Sequence, residues 1–261
     1  MMVIKIGGSM ADNAGNLAQD MAMLSEKIVI VHGGGPQATA LEKATGREPR
    51  YIISKEGFKS RHTDGQTMQN FVMAVGGGVN ISLVQQLRKA GVKAVGVSGA
   101  SGIILAKRKT LVSFENGKEK MVRDDCSGKI SSIDAAPLLA LLHAGFVPVV
   151  SPIALGEEFE ALNVDGDRAA AAIAGKLGAE KLVLFTDVEG FFANFPDDLV
   201  GRASAADIAG FQKKATAGMK RKLVAAGEGL SAGVQEVIMC SGLKETPISN
   251  ALAGGGTHFR K

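Results

Sequence analysis

The chain has 261 residues and 27.0 kDa, room for one large α/β domain or two small lobes, and its 46% hydrophobic against 21% charged residues excludes wholesale disorder. Aromatics amount to 5% with no tryptophan, which argues against a base-stacking platform for single-stranded nucleic acid. The formal net charge of +4 leaves room for an anionic substrate or an acidic protein partner.

From the N-terminus, Val3–Ile6, Ile28–Val31, Val92–Val97, Val147–Val150, Leu182–Phe185 and Val237–Met239 are short apolar runs rich in β-branched residues. Such runs are expected of parallel strands covered on both faces. Between and after them lie helical patterns: Pro36–Ala44, Gln66–Ala90 interrupted at Gly76-Gly77-Gly78, Ile133–Ala144, Arg168–Leu177, Ala205–Lys213 and Lys220–Ala232. The succession is βαβ and predicts a doubly wound α/β fold around a mainly parallel sheet. A soft lobe boundary falls between Ala154 and Ala161, dividing 1–155 from 156–261 within a single domain. No signal-peptide pattern precedes the first run, and no run reaches the roughly 20 residues of a membrane span. Cys126 and Cys240 form neither a disulfide framework nor a metal knuckle. The expectation is a soluble cytoplasmic protein with no membrane or nucleic-acid partner.

One segment carries a charge surplus. Ala106–Arg123 holds Lys107, Arg108, Lys109, Lys118, Lys120 and Arg123 against Glu115 and Glu119, and reads as two strands around a Glu115-Asn116-Gly117-Lys118 turn. It is either a solvated hairpin or a docking surface for something acidic.

Ligands of such sheets sit beyond the carboxyl ends of strands. There the sequence places Lys5-Ile6-Gly7-Gly8-Ser9, His32-Gly33-Gly34-Gly35-Pro36 and Thr186-Asp187-Val188-Glu189-Gly190. Glycine turns that lead into helices free backbone N–H groups for an anion, and two of them suggest a polyphosphate held from both sides. Gly33–Ala38 also satisfies a dinucleotide fingerprint with Glu56 downstream, but Glu56 does not close a following strand and Lys5 stays unexplained. No Gly-Lys pair is followed by Ser or Thr, so there is no P-loop. Three polar clusters remain: Leu162-Asn163-Val164-Asp165-Gly166-Asp167-Arg168, with more polar groups than one helix cap requires; Gly218-Met219-Lys220-Arg221-Lys222; and Gly57–Asp64 around Arg61, with Thr63 or Asp64 as the next helix cap.

In this order and spacing, from Val3 to about Phe259, the pieces resemble the amino acid kinase family and, within it, the N-acetylglutamate kinase group. Ser60–Asp64, Arg123–Ile130 and Lys220-Arg221-Lys222 most resemble the [LysW]-aminoadipate/[LysW]-glutamate kinases, in which an aromatic more often stands at Cys126 and His62. The resemblance implies a three-layer sandwich of the carbamate kinase-like type. It also implies transfer of the γ-phosphoryl of ATP, with Mg²⁺ carried by the nucleotide, to the side-chain carboxylate of aminoadipate or glutamate borne by a small acidic carrier protein (LysW-like), in lysine or arginine biosynthesis. Lys5, Lys222 and Asp167 would be catalytic. Gly34, Gly35, Arg61 and Asn163 would hold the amino acid, and Gly7, Gly8, Thr186, Asp187 and Gly218 the nucleotide, with no dedicated metal ligands and a homodimeric assembly. The alternatives are a free N-acetylglutamate kinase and a non-catalytic ATP-binding relative.

Overall fold

A computed structural model describes residues 1–53, 59–115 and 118–261. At its centre lie eight strands: β1 Met2–Ile6, β2 Ile28–His32, β3 Ala94–Ser98, β4 Val147–Ser151, β5 Lys181–Thr186, β6 Arg202–Ser204, β7 Glu236–Ser241 and β8 Thr257–Arg260. They form one sheet in the order β6-β8-β7-β5-β1-β2-β4-β3. All six apolar runs read from the sequence are its contiguous parallel strands, from β3 to β7. The last two strands, β8 and the edge strand β6, run opposite to them, carry no comparable run and escaped the pattern.

Ten helices are described: α1 Gly8–Ala11, α2 Gly15–Ala22, α3 Gly35–Ala44, α4 Gly65–Phe71, α5 Asn80–Lys89, α6 Ala136–His143, α7 Gly166–Leu177, α8 Ile208–Lys214, α9 Ala217–Ser231 and α10 Pro247–Leu252. Strand alternation sorts the core into two faces. Val3, Val29, Val31, Leu182 and Leu184 pack with α6, α7 and α9, whereas Ile4, Ile6, Ile30, Val183 and Phe185 pack with α1, α2, α5 and α10. The result is the expected three-layer sandwich. Small residues let α7 lie close to its neighbours: Ala169, Ala170, Ala171 and Ala174 are fully buried, and a Cβ on Gly175 would stand 2.4 Å from that of Ala232. None of the described helices is long and apolar enough to cross a membrane.

Several expectations need correction. The triglycine does not interrupt its helix; Val72–Val79 is a π-helical turn joining α4 to α5 without a break in helical backbone. Helix α6 starts only at Ala136, because Gly128–Ile133 is drawn into a second, four-stranded sheet with Ile104–Arg108, Ile153–Leu155 and Ala161–Asn163. That pairing also divides the basic segment: Lys107 and Arg108 end the strand Ile104–Arg108, and only Leu111–Glu115 and Lys118–Val122 form the hairpin. The Asn116-Gly117 turn and Glu56 lie outside the described residues.

Candidate active site

Strand β1 brings Lys5 to its carboxyl end on the same face as Val3, directly under the start of α7. Asp165 caps that helix by accepting from the N–H groups of Asp167 and Arg168, which leaves the Asp167 carboxylate free to face the sheet. Asp167 lies 2.7 Å from Lys5 Nζ and 3.2 Å from Lys222 Nζ, and Lys222 also donates to the Phe185 carbonyl at 3.2 Å. Burial works to raise the Asp167 carboxyl, but the two ammonium groups outweigh it and hold the group well below the usual carboxylate range. Burial lowers the Lys222 ammonium, helped by Lys5 and opposed by Asp167. Two cations on one carboxylate leave a surplus positive charge in a sparsely solvated place, the setting in which an incoming anion is held most strongly. Lys222 projects from α9 rather than from a glycine loop; Gly218-Met219 lie inside that helix.

The two glycine turns touch. A Cβ on Gly8 would stand 2.8 Å from Gly34 N, and one on Gly33 would stand 2.9 Å from Gly8 N. Gly34 is pressed by Val75 of the π turn, whose Cγ2 would be 2.6 Å from a Cβ there, whereas Gly7 and Gly35 have open surroundings. Gln37 clamps the pair by donating to the Gly8 carbonyl at 2.8 Å. Beneath them His32 is fully buried; burial, assisted by Lys5 and opposed by its bond to Gly33, pushes its pKa down to about 4, so the ring is neutral at pH 7.

Beyond the glycine turns, Arg61 donates to Glu42 Oε2 at 2.7 Å, to the Gly35 carbonyl at 3.2 Å and to the Thr39 hydroxyl. Its guanidinium is thus anchored against α3 beside the open Gly35. Asn163, in the short strand Ala161–Asn163, donates to Thr63 Oγ1 at 3.1 Å. The buried Asp125 carboxylate accepts from Thr63 N and Ser127 N, both at 2.7 Å, and fastens the Arg61 segment to the Asp124–Ser127 loop. Asp64, not Thr63, caps α4.

A cavity of about 710 Å³ opens over the lysine pair and is lined by Lys5, Asp167, Thr186, Asp187, Gly218 and Lys222, six of the residues singled out in the sequence. Gly7, Gly8, Gly34, Gly35, Arg61 and Asn163 are not part of its lining. Its lining adds Val188 and Met219 from the quoted stretches, and Phe192 and Phe195, which the sequence reading missed. The signal was present: three phenylalanines fall within Phe191–Phe195 of an aromatic-poor chain. Phe195 is 72% exposed and meets Phe192 edge-on at 5.2 Å, so the cavity lining combines an apolar aromatic pair with the cations.

Of the basic segment, Lys107 and Arg108 are paired with Glu157 and Glu160, at 2.9 and 3.4 Å. Lys109 is half-buried in a groove with Lys129, Arg168 and Lys176. Lys120 of the hairpin and Arg123, just after it, instead line a cleft of about 360 Å³ shared with Arg50, Tyr51 and His62, next to the strand that bears Arg61.

The chain matches the amino acid kinase family over residues 1–241. It is 39% identical to the [LysW]-aminoadipate kinase of Thermus thermophilus, covering 100% of both chains. It is 37% identical to the [LysW]-aminoadipate/[LysW]-glutamate kinase of Saccharolobus solfataricus, over 98% of each. Among solved structures, the N-acetylglutamate synthase of Neisseria gonorrhoeae, complexed with coenzyme A and N-acetyl-glutamate, superimposes with a TM-score of 0.80 at 26% identity; all of this chain is covered, and it spans 59% of that longer protein.

Proposed function

The chain belongs to the amino acid kinase family, and we propose that it phosphorylates the side-chain carboxylate of 2-aminoadipate or glutamate carried on a LysW-like protein, using ATP. The observation that carries this reading is Asp167 holding Lys5 and Lys222 together in the lining of the cavity.

The acceptor carboxylate, with a pKa of about 4.3, is already ionised at neutral pH, so no general base is needed. Catalysis reduces to in-line positioning and to neutralising the charge that spreads over the transferring phosphoryl oxygens. A carboxylate oxygen attacks the γ-phosphorus, the bond to the β-phosphate oxygen breaks, and ADP leaves as the acyl phosphate forms. Lys5 and Lys222 meet the phosphoryl oxygens as compact point charges, and Asp167 aims both. Backbone N–H groups of Gly7, Gly8 and Gly34 face the phosphates; Gly34, Gly35, Arg61 and Asn163 hold the acyl amino acid. Thr186, Asp187 and Gly218 line the nucleotide path toward the Phe192–Phe195 platform. In this reading residues 1–155 mainly serve the amino acid, joined by Asn163, and 156–261 mainly the nucleotide, joined by Gly7 and Gly8. Besides Asp167, the carboxylates lining the cavity are Asp187 and Asp165, and Asp165 already caps α7. Mg²⁺ would fit this arrangement as a passenger arriving with the triphosphate, where it would supply charge neutralisation without dedicated protein ligands. A cytoplasmic homodimer completes the reading, with the exposed Val72, Met73 and Ile81 of the helical rod as its contact face.

The deciding experiment incubates the purified protein with ATP and either carrier-linked aminoadipate, carrier-linked glutamate or N-acetylglutamate, trapping acyl phosphate with hydroxylamine. Hydroxamate from a carrier-linked acid is expected. Turnover of N-acetylglutamate alone would make the protein a free-substrate kinase, and no hydroxamate from any acceptor would remove the enzymatic reading.

A further inference from the structure

The glycine turn after β2 is aimed by a side-chain relay that none of the roles above includes. Asn80, at the start of α5 and 5% exposed, places its Nδ2 atom 2.9 Å from the Val149 carbonyl and 2.9 Å from His32 Nε2. A carbonyl can only accept, so the group facing Val149 is the amide NH₂. Its second N–H then points at Nε2, which must be the unprotonated nitrogen. The neutral ring therefore carries its proton on Nδ1, 2.7 Å from the Gly33 carbonyl oxygen. The amide itself has little freedom: a Cβ on Gly96 would fall 2.0 Å from Asn80 Oδ1, so the amide fills the space that glycine leaves.

The consequence lies across the next peptide bond. The Gly33–Gly34 peptide is trans, and in a trans peptide C=O and N–H point in opposite directions. With its carbonyl drawn inward to His32, this peptide turns the Gly34 N–H outward beside Gly8, and that N–H makes no hydrogen bond to any described residue. We propose that His32 and Asn80 are positioning residues: Asn80 fixes the His32 tautomer, and His32 Nδ1–H holds the Gly33 carbonyl so that the Gly34 N–H is presented to the phosphoryl transfer site. The inference rests on the kinase reading above and adds to it how one backbone donor is pre-oriented.

Three measurements on the intact enzyme test it. Long-range ¹H–¹⁵N spectra at pH 7, assigned by replacing the other three histidines singly, should show His32 protonated at Nδ1 only; protonation at Nε2 overturns the proposal, whatever the variants do. Asn80→Asp, whose side chain can only accept, should bring a proton onto Nε2, and an unchanged spectrum would remove Asn80 from the relay. Finally, an asparagine amide reaches where Nδ1 stood and a glutamine amide where Nε2 stood. His32→Asn should keep kcat within about threefold, and His32→Gln should lose at least tenfold with a smaller change in KM for ATP, since a lost oxyanion donor costs about 10²–10³. A space-filling role alone gives the reverse order, because glutamine is the closer match in size. Failure of the kinase reading would show separately, as no acyl phosphate formed by the wild-type protein with any acceptor.

Discussion

Gly8 and Gly34 lie so close that a Cβ on the first would stand 2.8 Å from the amide nitrogen of the second. Gly8→Ala therefore forces backbone to move, and both the melting temperature and kcat should fall, the latter about 10²-fold. Gly35→Ala meets nothing within 4 Å, so its melting temperature should stay within roughly 2 °C of wild type, equivalent to about 0.5–1 kcal/mol, while KM for the amino-acid substrate rises. Equal thermal losses in the two variants would contradict the close approach.

Replacing Lys5 or Lys222 by Met removes a charge and keeps most of the stem's packing. Each should lower kcat about 10²-fold or more, with KM for ATP changing less. Steady-state kinetics decide it: a variant with near-wild-type kcat takes its lysine out of the chemistry.

Asp167 also leaves a mark on acid stability. Its folded carboxyl titrates below the ordinary value of 3.8, so around and below that pH the unfolded chain binds a proton the folded chain does not. Stability from this group is complete above the unfolded value and is lost as pH falls through the folded one. Urea unfolding below pH 4 should show a shallower rise of stability with pH in Asp167→Asn than in wild type. Parallel profiles would mean that the two lysines do not depress this carboxyl.

Arg61→Lys keeps the charge but not the planar fork that spans Glu42, Thr39 and the Gly35 carbonyl. KM for the amino-acid substrate should rise by the equivalent of about 1.5–3 kcal/mol, with kcat largely kept. An unchanged KM with collapsed kcat would place Arg61 in the phosphoryl transfer itself.

The carrier should feel the cleft beside Arg61. Reversing Lys120 and Arg123 to Glu is expected to raise KM for a carrier-linked acid and leave KM for ATP unchanged. The wild-type carrier KM should climb with salt as the Debye length falls from about 10 Å at 0.1 M toward 3 Å at 1 M. Lys107 and Arg108, already paired with Glu157 and Glu160, should matter less. A carrier KM indifferent to both the reversal and the salt would move the docking surface elsewhere.

The sequence by itself determined the parallel heart of the sheet, because strands buried on both faces must be written as unbroken apolar runs, and it marked Lys5, Asp167, Lys222 and the glycine turns by residue types that a helix cap or a solvated face does not require. Strands β6 and β8 left no such trace, since they are only three and four residues long and each sets one apolar residue, Ala203 or Phe259, among polar ones. By residue type Asp165 and Asp167 read alike, and in the sequence only the family resemblance set Asp167 apart; the physical reason is tertiary, because the placement of α7 over β1 makes one a cap and the other a partner of two lysines. Tertiary structure also decided where the basic segment's charge goes, because pairing of Ile104–Arg108 with Gly128–Ile133 places Lys107 and Arg108 within reach of Glu157 and Glu160. Neighbours distant in sequence set these outcomes, and no local pattern encodes which of them will meet.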